Sequence, residues 1–177
     1  MERVMAGRKI SLLNGFTRTY LASLFRYDPE TGKLFWRIAR SNVVWVGKEA
    51  GTFDKKKGYR RINVDKTMLY YHRVIFFIAT KTVPDKIDHK KGIRSDNRLS
   101  ELRSTTCAGN ARNSASRKHT ISGYKGVHPQ AGKWRARIRV DGIQIHLGYF
   151  YSRKKAARAY NAAAEKYFGE FARLNNV

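Results

Sequence analysis

The chain is poor in features that place or brace many proteins. It has one cysteine, Cys107, in 177 residues, which excludes an intrachain disulfide and a zinc site built from several thiolates. No apolar run approaches the roughly 20 residues that cross a bilayer as a helix, and the first residues hold no signal-like apolar core. The expected setting is therefore reducing, DNA-containing and cytoplasmic (nucleoid or host cytoplasm), with no membrane and no disulfide partner. Acidic residues are scarce: 13 Asp and Glu face 37 Lys and Arg, a formal charge of +24. Such a field implies a polyanionic partner, and interleaved Tyr, Phe and Trp favour a folded nucleic-acid binder over a disordered basic tail. Through residue 112 the balance is 24 − 10 = +14, and after it 13 − 3 = +10, so both halves are expected to touch the polyanion. The 42% hydrophobic content suffices for real cores.

Residues 1–16 form a weakly patterned lead. Thr17 is placed to cap a short helix whose Tyr20, Leu21, Leu24 and Phe25 share a face. Asp28-Pro29-Glu30-Thr31-Gly32 has turn chemistry, and a strand is expected over 33–38. Strands over 59–64 and 67–71 flank an Asp65-Lys66 turn. Lys55-Lys56-Lys57-Gly58 reads as a solvated loop tip, with phosphate contact as the alternative. Residues 72–80 read as a helix too apolar to be exposed.

Chemistry gathers after Val83-Pro84. Ile87-Asp88-His89 ends a strand, Lys90-Lys91-Gly92 turns the chain, and Leu99 and Leu102 anchor its return. Thr105 or Thr106 can then cap a helix carrying Asn110. Phosphodiester hydrolysis needs a deprotonated water, an oxygen-ligated divalent ion and basic groups on the backbone. Neighbouring strand residues point to opposite sides, so one of Asp88 and His89 can hold metal while the other faces a water. One Mg²⁺ or Mn²⁺ fits, because a carboxylate and an amide oxygen suffice when waters and phosphate complete the shell. Arg94, Arg98 and Arg103 would neutralise phosphate, or form a solvated basic face.

The run from Ile87 to Thr105, with Asn110 and Asn113 beyond it, resembles the HNH endonuclease family, particularly phage and intron-encoded homing endonucleases. The resemblance implies a ββα-metal unit with His89 as general base and Asp88 and Asn110 as ligands of the ion. The central motif residue, which orients the histidine, falls at Glu101, where the family usually has Asn. An amide donates and accepts hydrogen bonds; an ionised Glu only accepts. His72 belongs to a His-Arg pair also common in that family and is open between a structural role and substrate contact. Asn97 and Asn113 are open between local structure and contact with the site or DNA.

Residues 113–122 read as a linker. Beyond them Trp134, Ala136, Ile138 and Val140 alternate with Arg135, Arg137 and Arg139, so one strand face packs and the other bears guanidiniums. Asp141-Gly142 signals a hairpin, and Ser152 and Gly169 bracket a helix. Tyr124-Lys125-Gly126-Val127, Gly132 to Ile138, Leu147 to Phe150, the alanine-rich helix and Leu174-Asn175 resemble the Apetala2/ethylene-response-factor DNA-binding domain. That resemblance implies a three-stranded sheet facing DNA with Lys125, His128, Gln130, Lys133, Arg135, Arg137, Arg139, Gln144 and His146. The first strand lacks the family's arginines, so no target sequence carries over.

The expected fold class is α+β, with small antiparallel strands and a ββα-metal unit over 17–112, then an antiparallel sheet on one helix over 123–177. The expected function is site-selective, metal-dependent cutting of double-stranded DNA. The alternatives are a DNA-binding or regulatory protein with a decayed nuclease unit and, third, an RNA-directed protein.

Overall fold

The computed structural model describes residues 11–114 and 120–177. They divide between Thr105 and Thr106 into two compact units, and the fold is mixed α and β with small antiparallel sheets. No helix among the described residues is long and apolar enough to cross a membrane.

The first unit opens on a short hairpin of β1 (Leu12–Leu13) and β2 (Phe16–Thr17). The expected lead therefore contributes to the core from its last residues, with Leu13 buried. Thr17 caps α1 (Arg18–Leu24), its hydroxyl accepting the Tyr20 N–H. β3 (Phe25–Asp28) and β4 (Lys33–Trp36) form a hairpin whose turn is braced by Asp28, which accepts from the Glu30 N–H and the Thr31 hydroxyl. β4 stops short of residue 38 because the Arg37 N–H turns to the Leu24 carbonyl.

β5 (Thr52–Asp54), absent from the sequence reading, edges a sheet with β6 (Tyr59–Val64) and β7 (Thr67–Tyr70). Asp65 and Lys66 take φ of 46° and 67°, the twist that a two-residue hairpin turn demands. α2 (Tyr71–Thr80) runs through the main core, burying Tyr71, His72, Val74, Ile75, Phe76 and Phe77. The Tyr71 hydroxyl is tied to the backbone of Leu34 in β4, and burial pushes its pKa up to about 12. β8 (Lys86–His89) and β9 (Leu102–Thr105) pair antiparallel, with Asp88 opposite Arg103 and His89 opposite Leu102.

The second unit begins with α3 (Cys107–Arg112), capped by the Thr106 hydroxyl on the Gly109 N–H. The sequence reading carries the first domain on to residue 112. Here α3 is bound within the second unit: Lys125 Nζ donates to the carbonyls of Arg112 (2.6 Å) and Ser114 (2.8 Å), and Arg112 pairs with Asp141 at 2.7 Å. Asn113 and Ser122, the ends of the expected linker, are both buried; residues 115–119 of it lie outside the described ones.

β10 (Val127–Gln130), β11 (Lys133–Val140) and β12 (Ile143–Phe150) form one antiparallel sheet in that order, backed by α4 (Arg153–Phe168). Val127, Ala136 and Ile138 pack on Ala156, Ala157, Tyr160 and Ala164. The small side chains let helix and sheet approach closely. A Cβ at Gly126, φ +76°, would lie 2.0 Å from the Tyr160 ring. Ser152 precedes α4 as expected but makes no side-chain cap. The β11–β12 register slips between Ala136 (opposite Gly148) and Arg137 (opposite His146), so Leu147 is an extra residue and the alternation is interrupted by a bulge.

Candidate active site and nucleic-acid interface

Asp88 and His89 close β8, and both are buried, at 5% exposure each. Cross-strand register decides what Asp88 meets. Arg103 lies opposite and donates to Oδ2 through Nε at 3.0 Å and Nη2 at 2.8 Å. Arg103, expected on phosphate or on a solvated basic face, has its side chain, 10% exposed, paired with this carboxylate. A buried charge is retained only when paired and hydrogen-bonded, and the guanidinium supplies both.

The His89 ring stands in an aromatic cluster. His72 meets it edge to face with ring centres 5.1 Å apart, and Tyr59 lies 6.0 Å from His89 and 5.4 Å from His72. The Arg94 guanidinium sits 4.8 Å over the Tyr59 ring and donates to the Lys57 carbonyl. Burial pulls the His89 imidazole below its ordinary pKa, while Asn97, Asp88 and Asp96 pull it up. Burial holds His72 lower still, at about 3. Both imidazoles are neutral at pH 7.

The amide beside His89 is Asn97, 3% exposed. Its Nδ2 donates to the Ser95 carbonyl at 3.0 Å. Its Oδ1 is buried and makes no full hydrogen bond among the described residues, so its influence on His89 is that of a longer polar contact. Asn97 is fixed by a distant hairpin. The Tyr27 hydroxyl of β3 accepts the Leu99 N–H at 2.9 Å. Gly32, φ +70°, lets the β3–β4 turn press on the motif loop, where a Cβ would lie 2.5 Å from Arg98 N and 2.7 Å from Asn97 C.

Glu101 has other partners. Its carboxylate pairs with Lys91 at 2.7 Å and its carbonyl accepts the Lys90 N–H at 2.8 Å, closing the loop between the strands. Arg98 is held by Asp96 through a two-pronged pair, which raises its pKa further. Asn110 is exposed on α3, in the second unit, and Asn113 caps that helix's end. No three His, Cys, Asp or Glu side chains stand together as a metal cluster among the described residues.

In the second unit most expected contact residues share one face. Across the ladder His128 and Tyr149 flank Arg135, His146 lies opposite Arg137, and Gln144 opposite Arg139. Arg137 Nη1 donates to Gln144 Oε1 at 2.9 Å. Gln130 pairs with Lys133, whose ammonium lies 4.8 Å over the Tyr151 ring. Burial, then Arg137 and Arg135, lower the His128 pKa. Lys125 departs from this set, because its ammonium is turned to the end of α3 and burial lowers its pKa to about 8. Tyr59 and Gly32 escaped the sequence reading as site residues, since nothing local distinguishes a strand-starting Tyr or a turn Gly from one with a long-range task.

The chain is similar to an HNH endonuclease. That relative, an uncharacterized HNH endonuclease of Acanthamoeba polyphaga mimivirus, is 33% identical over 129 residues, covering 69% of this chain and 65% of its own length. A second similarity, 50% over 40 residues, is to an ethylene-responsive transcription factor-like protein of Arabidopsis thaliana, covering 23% of this chain and 18% of that one. The chain thus spans less than two thirds of either relative. No family model matches, and no solved structure matches.

Proposed function

We propose that the protein is an HNH-type DNA endonuclease whose C-terminal sheet directs it to its sites. The observation that carries this reading is the pair at the end of β8: a fixed carboxylate beside a neutral imidazole that is walled by Tyr59, His72 and Asn97. A neutral imidazole can take a proton from water, and His89 is assigned that role. Asn97, rather than Glu101, is assigned the orienting amide. Arg103 holds Asp88 in one rotamer. A carboxylate oxygen suits a small divalent ion that keeps most of its waters, so Asp88 would hold one Mg²⁺ or Mn²⁺; Asn110, expected as the second ligand, belongs to α3 of the second unit. When bound, the ion supplies charge stabilisation at the leaving oxygen. Arg94 is assigned to phosphate. In the second unit the Arg135, Arg137, Arg139, Gln144 and His146 face would read base edges, where paired Arg contacts to guanine discriminate by about 1–3 kcal/mol.

The test is plasmid nicking with Mg²⁺ or Mn²⁺. His89→Ala should lose at least about 100-fold in rate, the usual contribution of a general base, while retaining duplex binding. Asn97→Ala should cut more slowly at unchanged affinity. Full activity in His89→Ala removes the mechanism.

One observation favours a second reading, a DNA-binding protein that no longer cuts: Glu101 fills the central motif position and is spent on Lys91. If wild type and Glu101→Asn both fail to nick with any divalent ion, that reading stands.

A further inference from the structure

Residues 37–48 form a finger-like loop, anchored on the first unit by Val44 against the core and by the Arg40–Asp65 pair, that leaves its other apolar side chains in solvent. Ile38, Val43, Trp45 and Val46 are 44%, 66%, 56% and 62% exposed, whereas Trp36 at the finger's base is 7% exposed. The finger is ordered by its own hydrogen bonds. Arg40 N–H donates to the Val44 carbonyl (2.9 Å) and Val44 N–H to the Ser41 carbonyl (3.0 Å), forming a tight turn at the tip. At the base Trp36 N–H donates to Lys48 O and Gly47 N–H to Trp36 O. The side chain of Lys48 crosses back, donating to the Val43 carbonyl and covering the Trp45 ring at 4.3 Å. Trp45 is thus presented on a braced support, with little conformational freedom left to lose on binding.

Charge selects the occupant. The finger holds Arg37, Arg40 and Lys48 and no acidic residue of its own; Arg40 is paired with Asp65, which leaves Arg37 and Lys48 as its outward charges. A second copy would bring an equally basic finger to a symmetric contact, and like charges repel there. The tip is also far smaller than the amphipathic helix that usually seats a protein on a membrane surface. A polyanion with apolar faces to stack on answers both features, and proteins that enter the minor groove pair apolar wedges with cations on the flanking phosphates.

We propose that this finger is an additional DNA contact, with the Trp45 ring entering a groove and Arg37 and Lys48 meeting neighbouring phosphates. The inference rests on DNA as the partner, as read above, but not on cutting. Full-length protein is titrated onto a fluorescein-labelled duplex in EDTA. Trp45→Ala should bind about tenfold more weakly, as removal of a base-stacking aromatic commonly does, with an unchanged melting temperature because the side chain is more than half exposed. Trp45→Phe should restore affinity. Val43→Ser should weaken binding in the same direction. Wild-type affinity in Trp45→Ala overturns the proposal. So does failure of Trp45→Phe to restore affinity, a dimer that Trp45→Ala dissociates in sedimentation, or a loss confined to anionic lipid vesicles. Nicking is assayed separately with metal. Trp45-dependent binding without nicking leaves the finger in place and removes the nuclease; nicking with Trp45-independent binding does the reverse.

Discussion

Burying an imidazole changes what acid does to a fold. His72 titrates at about 3 in the folded chain because burial disfavours its charged form, whereas an unfolded histidine titrates near about 6.5. Between those values the unfolded chain binds the proton and the folded one does not. Stability is therefore complete above about pH 6.5 and falls as pH drops, by up to about 1.4 kcal/mol per unit from this group. His72→Phe should flatten that slope in urea denaturation between pH 7 and pH 5, whatever its effect at neutral pH; an unaltered slope would show that His72 is solvated. Single residues were also where the sequence spoke most clearly. Asp88 and His89 were visible as a chemical pair, and both lie buried side by side. Arg103 looked like any basic residue, because its commitment to Asp88 depends on strand register, which one sequence does not print. Asn97 was seen as a secondary residue, since its closeness to His89 comes from how the loop folds back.

The β3–β4 hairpin is an element whose turn was readable and whose purpose was not. Asp28, Pro29 and Gly32 announce a turn by their own chemistry. That the turn then leans on the loop carrying Asn97 is a contact between residues some 65 positions apart, outside the reach of any local pattern. Gly32→Ala tests this. The new Cβ meets backbone, at 2.5 Å from Arg98 N, and φ of +70° disfavours any side chain. The variant should lose more than about 1 kcal/mol of stability. If the hairpin positions Asn97, nicking should fall further than the folded fraction does, as measured by active-site-independent duplex binding. Equal losses would make the hairpin a structural brace only. The same locality explains the other element-level outcomes. α1 ends at Leu24, with Phe25 opening β3 and Tyr20 exposed, whereas the Thr17 cap, the Asp65-Lys66 turn and the Asp141-Gly142 turn came out as expected. β5 and the bulge at Leu147 are set by their neighbours and did not.

For the molecule as a whole, charge is the property that the sequence states without ambiguity, and it leads to a measurement. Binding that neutralises phosphates releases counterions, so affinity should fall steeply with salt, with a slope of about −0.9 per phosphate contacted. Arg137→Ala should make that slope shallower by about one if the side chain sits on phosphate. If it reads a base instead, site choice should broaden at nearly constant slope. Wild-type slope together with wild-type site preference would remove Arg137 from the interface. The few carboxylates add a further consequence. Glu49, Asp54, Asp65, Asp88, Asp96, Glu101 and Asp141 each have a cationic side chain within ion-pair distance. Seven of the thirteen carboxylates are thus paired where they stand, which softens local repulsion of a duplex at those places. With a net charge of +24 the expected search is a glide along the duplex, with detachment left to the surrounding salt.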